Sequence, residues 1–225
     1  MKLSTFTLQA LENFTNINEG IVILKDNVAN EGGTQIRTLS PDGSMQAYAV
    51  VPETFDHDVV ISDLKQVLNV VKMSGEASLE FGERQVSISS GNTTTQITYA
   101  NQHEVIHEYK KNVKLKGDAV KFTISQENLT KILKLSDILQ LPQIKVHMED
   151  SKILMSAVDR TNPDAKSTHV IIDENVDSDA ASKVLPLLFE RSMFKFIPNT
   201  YEVELCNGLA KFNAANLEYF ITSLV

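Results

Sequence analysis

The sequence predicts an α+β fold built from one unit used twice, each copy an antiparallel sheet with two helices on one face. Three observations predict it. Short runs alternate apolar and polar residues across hairpin-length turns such as "SPDGS" at 40–44, which favours antiparallel pairing over parallel crossovers. Each half carries two segments with apolar residues at helical spacing. The order helix, strands, helix, strands in residues 1–100 returns in residues 119–225, with 101–118 between them as a linker.

The first half opens with a helix from Thr7 to about Ile17. Thr5 or Ser4 caps it, and Leu8, Leu11 and Phe14 form its buried stripe. Strand-like runs follow at "GIVILKD", "TQIRTL" and "MQAYAVV". "DHDVVI" then leads into a second helix, "SDLKQVLNVVKM", with Leu64, Val67, Leu68 and Val71 inward. Three more strands, "EASLEF", "RQVSIS" and "TTQITYA", close the half.

The second half begins with the strand "VKFTIS" and the helix around "NLTKILKLS" (128–136). Leu129, Ile132, Leu133 and Ser136 share one face there, and Lys131 and Lys134 stand on the other. "QIKVHM", "KILMSAVD" and "KSTHVIID" are the next strands. The acidic stretch "DENVDSDAAS" reads as irregular. "KVLPLLFERSMFKF" supplies the second helix of this half, with Phe189, Met193 and Phe196 inward. "TYEVEL", "LAKF" and "LEYFITSLV" mirror the last three strands of the first half. The linker, "NQHEVIHEYKKNVKLKGD", holds four lysines and no clear strand.

Composition narrows the classes of function. A chain of 225 residues fits two domains of roughly 110 residues, each able to bury a core. Cys206 is the only cysteine, so no intramolecular disulfide forms and a reducing compartment is expected. No stretch approaches the ~18–20 apolar residues of a membrane span. A net charge of −8 argues against a general nucleic-acid coat and against adhesion to acidic membranes, while leaving room for a local basic surface.

One catalytic pattern appears. "HEVIH" matches the H-E-x-x-H zinc-hydrolase motif through His103, Glu104 and His107, and Glu127 lies downstream at a plausible distance for a third ligand. That chemistry needs both histidines on one face of a buried helix. Here the motif follows a strand directly and runs into a lysine-rich polar segment, so a chance match in a surface linker is the better account. A glycine-rich phosphate loop, a G-x-S-x-G elbow and a dinucleotide fingerprint are all missing. His57, His147 and His169 stand singly in strand-like runs. No catalytic residue, metal site or cofactor is expected.

The open faces of the helices carry the remaining signal. Lys65 and Lys72 share a stripe on the second helix, Lys131 and Lys134 mark the third, and Arg191 and Lys195 mark the fourth. The first helix shows Gln9, Glu12, Asn13 and Asn16 instead. Over residues 7–17, 62–73, 126–138 and 188–196 the charges are −1, +1, 0 and +1, leaving −9 on the rest. A sparse basic surface without stacking aromatics suits sequence-independent contact with duplex phosphates.

At this level the chain resembles the sliding clamps of large tailed bacteriophages. The blocks that carry the likeness are "MKLS…LQALENFTNINEGIVI", "FDHDVVISDLKQVLNVV", "ENLTKILKLSDILQLPQIKV…SKILMSAVD" and "MFKFIPNTYEVEL…AKF…NLEYFI". The resemblance implies a ring of three chains, helices lining the hole and sheets outside. It implies double-stranded DNA as ligand, DNA polymerase as client, an ATP-dependent clamp loader and late-transcription factors as further partners, in the cytoplasm of an infected bacterial host. It also implies that Gln96, Ile97, Thr98 and Tyr99 meet Ser167, His169 and Ile171 of the next chain, and that Val113, Leu115 and Tyr219 border a groove for partner peptides. Glu12 departs from the pattern, standing where the family can carry a lysine. The alternative reading is an interaction scaffold of the same fold without nucleic acid.

Packing geometry bears on the number of chains. With helix axes about 8–10 Å apart, eight helices leave a hole of about 15 Å, too narrow for a duplex about 20 Å wide, whereas twelve leave about 25 Å. Four wall helices per chain therefore favour three chains over two.

Overall fold

In the computed structural model, which describes residues 1–25, 33–105, 115, 117–162, 166–173 and 178–224, the first helix starts where an oxygen can cap it. Ser4 Oγ accepts from the Thr7 N–H (3.2 Å) and opens α1 (Thr5–Phe14). Ala10, Leu11 and Phe14 bury its inner face. The strands β1 (Ile21–Leu24), β2 (Thr34–Leu39), β3 (Met45–Val51) and β4 (Val59–Ile61) follow, then α2 (Leu64–Met73), β5 (Ser78–Phe81), β6 (Gln85–Ser90), β7 (Thr93–Thr98) and a single turn of helix, α3 (Gln102–Val105). These elements belong to the first of two compact units, Met1–Lys111 and Asn112–Val225, so the division falls inside the segment read as a linker.

All strand pairs of the first unit are antiparallel. They fall into two sheets, in the order β4-β1-β2-β3 and β5-β6-β7. The outer side of β5 is covered by the start of the chain, because Met1 and Leu79 exchange both backbone hydrogen bonds. In the core Leu64, Val67 and Leu68 of α2 lie buried, as do Leu79, Val86 and Ile88 of the small sheet, together with Phe14 and Phe55. α3 seats on β1 and β4. A Cβ on Gly20 would overlap the Val105 side chain, and Asn18 Nδ2 donates to the Leu39 carbonyl (2.8 Å) and the Val105 carbonyl (3.4 Å).

The second unit repeats the plan with β8 (Val120–Ile124), α4 (Gln126–Leu139), β9 (Gln143–Glu149), β10 (Lys152–Val158), β11 (Thr168–Asp173), α5 (Ser178–Val184), β12 (Leu187–Glu190), β13 (Tyr201–Cys206), β14 (Leu209–Ala214) and β15 (Leu217–Thr222). Its sheets run β8-β13-β14-β15 and β11-β10-β9-β12, again antiparallel. β8 pairs with β13 as Met1 pairs with β5, so the repeat extends to the first residues of the chain.

One stretch differs from the sequence reading. "KVLPLLFERSMFKF" is not a helix. Leu187 and Phe189 alternate inward along β12, which pairs with β9, and only Arg191–Met193 turns, as one 3-10 helix. Pro186 has no N–H to give a helix. The spacing of Phe189, Met193 and Phe196 imitated a helical period, but Phe194 and Phe196, two residues apart, both join one ring cluster, as an extended segment allows. Phe196 stacks on Tyr219 at 4.5 Å and meets Phe212 at 4.8 Å; Phe194 meets Phe212 at 5.9 Å. The helix of this region lies earlier, at α5, which takes the end of the acidic stretch read as irregular and only the first two residues, Lys183 and Val184, of this one. The argument for three chains from four wall helices per chain therefore loses one of its four members.

Candidate nucleic-acid interface

α2 is opened by Asp63, whose Oδ1 accepts from the Gln66 N–H at 2.9 Å, and its burial of Leu64, Val67 and Leu68 turns Lys65, Asn69 and Lys72 outward. Both lysines have carboxylate neighbours: Lys72 Nζ lies 3.1 Å from Glu12 on α1, and Lys65 Nζ lies 3.7 Å from Glu19. Exposed pairs of this kind are worth about 0.2–1 kcal/mol, so a phosphate can compete for either lysine. The acid at Glu12 thus acts on α2 as well as on its own helix. α1 itself is held by Glu53, which accepts from the Ser4 N–H and from Thr7 Oγ1. Burial raises the Glu53 pKa, but those bonds outweigh it and hold the carboxyl below its ordinary value.

α4 presents a different face. Ser125 Oγ accepts from the Asn128 N–H, Leu129, Ile132 and Ser136 are buried, and Gln140 closes the helix in the left-handed region at φ 56°. Outward stand Lys131, Lys134 and the exposed Ile138. Among the described residues neither lysine has an ion-pair partner, in contrast to Lys65 and Lys72. Arg191 and Lys195 are not four apart on a helix. Arg191 sits in the 3-10 turn with Nη2 2.7 Å from Asp137 Oδ2 of α4, and Lys195 is exposed in the segment after it.

The residues expected at a junction between chains lie on edge strands. β7 is the outer strand of the small sheet of the first unit and β11 that of a sheet of the second. Neither makes a backbone hydrogen bond on its outer side among the described residues. Gln96 and Thr98 are exposed and Ile97 is half-buried. Tyr99, next to His57 (ring centroids 6.1 Å apart), has its hydroxyl pushed up to about 12 by burial. Ser167, His169 and Ile171 are exposed, Ile171 being one of the few large apolar residues that are.

The peptide-groove expectation fares differently. Tyr219 is fully buried, and its hydroxyl accepts from the Ile197 N–H at 3.1 Å within the ring cluster, so it does not border an open groove. Leu115 is half-buried, and Val113 lies outside the described residues. Of the "HEVIH" motif, α3 takes in His103, Glu104 and Val105, and His107 lies outside the described residues. Glu127 is in the first turn of α4, in the other unit.

Comparison with known proteins shows which chains this one is similar to. The family described as "gp45 sliding clamp, C terminal" matches residues 121–224. A sliding clamp of Vibrio phage KVP40 is 29% identical over 230 residues, covering 99% of both chains. The chain is thus similar over nearly its whole length to phage sliding clamps. At the level of fold alone it is also similar to the DNA polymerase sliding clamp of Bacillus subtilis, with a TM-score of 0.70 and 13% identity over 99% of this chain and 63% of that one. The A. fulgidus PCNA solved with the C-terminal region of FEN-1 gives 0.68 and 11% over 98% and 95%. In this chain the basic residues read from the sequence divide into a paired set on α2 and a set on α4 with no ion-pair partner among the described residues. Sequence reasoning missed the pairing because Glu12 and Glu19 come from outside the helix that carries the lysines.

Proposed function

We propose that the chain is a DNA sliding clamp that closes around duplex DNA as a homotrimer and tethers the replicative polymerase for processive synthesis. A closed ring is retained by topology, so its contacts with phosphate need only be weak and exchangeable, and a few lysines per chain meet that need. The clamp carries out no reaction of its own. An ATP-dependent loader opens it, polymerase and late-transcription factors dock on it, and it works in the cytoplasm of the infected bacterium.

The observation that carries the ring is the pair of open strand edges, β7 in one unit and β11 in the other. Unlike edges on one chain can join head to tail and close by rotation, which leaves neither of these two edges exposed. Mass in solution and DNA topology test it together. The expected particle is about 75 kDa, three chains of 25.0 kDa, that stays on circular DNA once loaded and runs off linear DNA. Equal retention on both forms would mean ordinary binding.

A further inference from the structure

A cleft of about 400 Å³ opens in the second unit where β10 ends and β11 begins. Val158, Pro186, Leu187 and Leu188 line it, and so do three cations, Lys145, Arg160 and Lys166. Among the described residues none of the three has an ion-pair partner, although the protein carries a net −8. Among the described residues the one carboxylate at the rim, Asp159, is turned to its own loop, accepting from the N–H and the hydroxyl of Thr161 at 2.8 and 2.7 Å. Three cations without an ion-pair partner among the described residues, beside apolar lining, suit an acidic occupant.

The cleft adjoins Ser167, the residue that leads into the open edge β11. At the other open edge, β7 ends at Thr98, and Tyr99 brings the chain beside His57, which lies between Asp56 and Asp58. Both aspartates are exposed. Asp58 Oδ1 accepts from the Lys25 N–H at 2.9 Å, and among the described residues Asp56 has no ion-pair partner. Antiparallel pairing sets the C-terminal end of one strand against the N-terminal start of the other. If β7 of one copy adds to β11 of the next in the sense of the other strand pairs, Asp56 and Asp58 arrive at the cationic cleft.

We infer that the cleft is the electrostatic socket for a second copy of this chain, taking the Asp56–Asp58 turn of its neighbour. The contact fixes the direction and register of the ring, because the opposite sense of strand addition would leave three cations and two aspartates unmatched. The inference rests on the ring reading above and adds to it the residues that choose the partner edge.

Three exchanges test it, read as the concentration at which the particle dissociates. Asp56→Lys with Asp58→Lys, and separately Arg160→Glu with Lys166→Glu, should each raise that concentration by at least about tenfold, and combining all four should return it to near the starting value. Rescue in the combined protein also shows that the substitutions leave the fold intact. Asp58→Asn, which keeps an acceptor for the Lys25 N–H, should weaken assembly less than Asp58→Lys. A trimer indifferent to both reversals overturns the socket while leaving the ring standing. So does a trimer whose Arg160→Glu and Lys166→Glu form keeps its assembly but no longer binds a labelled Asp/Phe-rich peptide, which would assign the cleft to a foreign acidic peptide. An unaltered chain that stays at 25 kDa at every concentration overturns the ring reading itself, and the socket with it.

Discussion

The two units follow one plan, yet they fill the place of the second helix differently. In the first unit α2 supplies about three turns and fills the place with the aliphatic side chains of Leu64, Val67 and Leu68. In the second unit the same place holds only the 3-10 turn Arg191–Met193 and an extended run, and the volume is taken by Phe189, Phe194, Phe196, Tyr201, Phe212 and Tyr219. Aromatic rings bury ~150–250 Å² each, so a few of them seal a core that otherwise needs a whole helix of branched side chains. Each solution also ties the place back to its neighbouring helix with one ion pair, Lys72 to Glu12 and Arg191 to Asp137. Side-chain chemistry, rather than connectivity, decides whether the plan spends a helix there.

Substitutions put this difference to the test. Phe212→Ala removes the ring that touches Phe194, Phe196 and Tyr201, and should cost about 3–5 kcal/mol in urea denaturation, whereas Leu68→Ala in α2 should cost about 2–5 kcal/mol. A larger loss for Leu68→Ala would mean that the rings do not replace the helix energetically. Next in size is the difference between the basic faces. Lys131→Glu with Lys134→Glu should flatten the log–log salt dependence of DNA binding by about 0.9 for each phosphate no longer neutralised. The change should exceed that of Lys65→Glu with Lys72→Glu, whose lysines already share carboxylates. Equal slopes would remove the distinction between the two helices.

Glu53 gives a smaller and pH-dependent effect. Its carboxyl is held below its ordinary value in the folded chain, so its stabilisation is present at neutral pH and is lost as the pH falls through the folded-state value. Glu53→Gln should cost ~1–2 kcal/mol at pH 7 and progressively less in acid, read from denaturation midpoints across pH. Smallest is Arg191→Ala, which removes a partly exposed pair at a single turn and should cost less than about 1 kcal/mol, with a double-mutant cycle against Asp137→Ala isolating the pair.

Local patterns carried most of this architecture into the sequence. The alternation in "TQIRTL" and "MQAYAVV", the turn at "SPDGS" and the stripes Leu8–Leu11–Phe14 and Leu129–Ile132 mark strands, turns and helix faces in place. Where the reading failed, two periods competed for the same residues. Leu187 and Phe189 fit a strand, Phe189, Met193 and Phe196 fit a helix, and only pairing with β9 and the rings of β13, β14 and β15 decides between them. Tyr219 shows the same limit at the site. Its place on the last strand was legible, but which face is closed depends on Phe196 and Ile197, which arrive from elsewhere in the chain. The lysines were legible as exposed, and their partners were not, because Glu12 and Glu19 belong to other segments.

The seat of Val105 over Gly20 also bears on the "HEVIH" stretch. The valine in the middle of "HEVIH" is the residue the fold requires, since it fills the space that the glycine leaves open. Among descendants of this chain, positions 20 and 105 should therefore change hand in hand, small opposite bulky, while the histidines on either side drift without regard to each other.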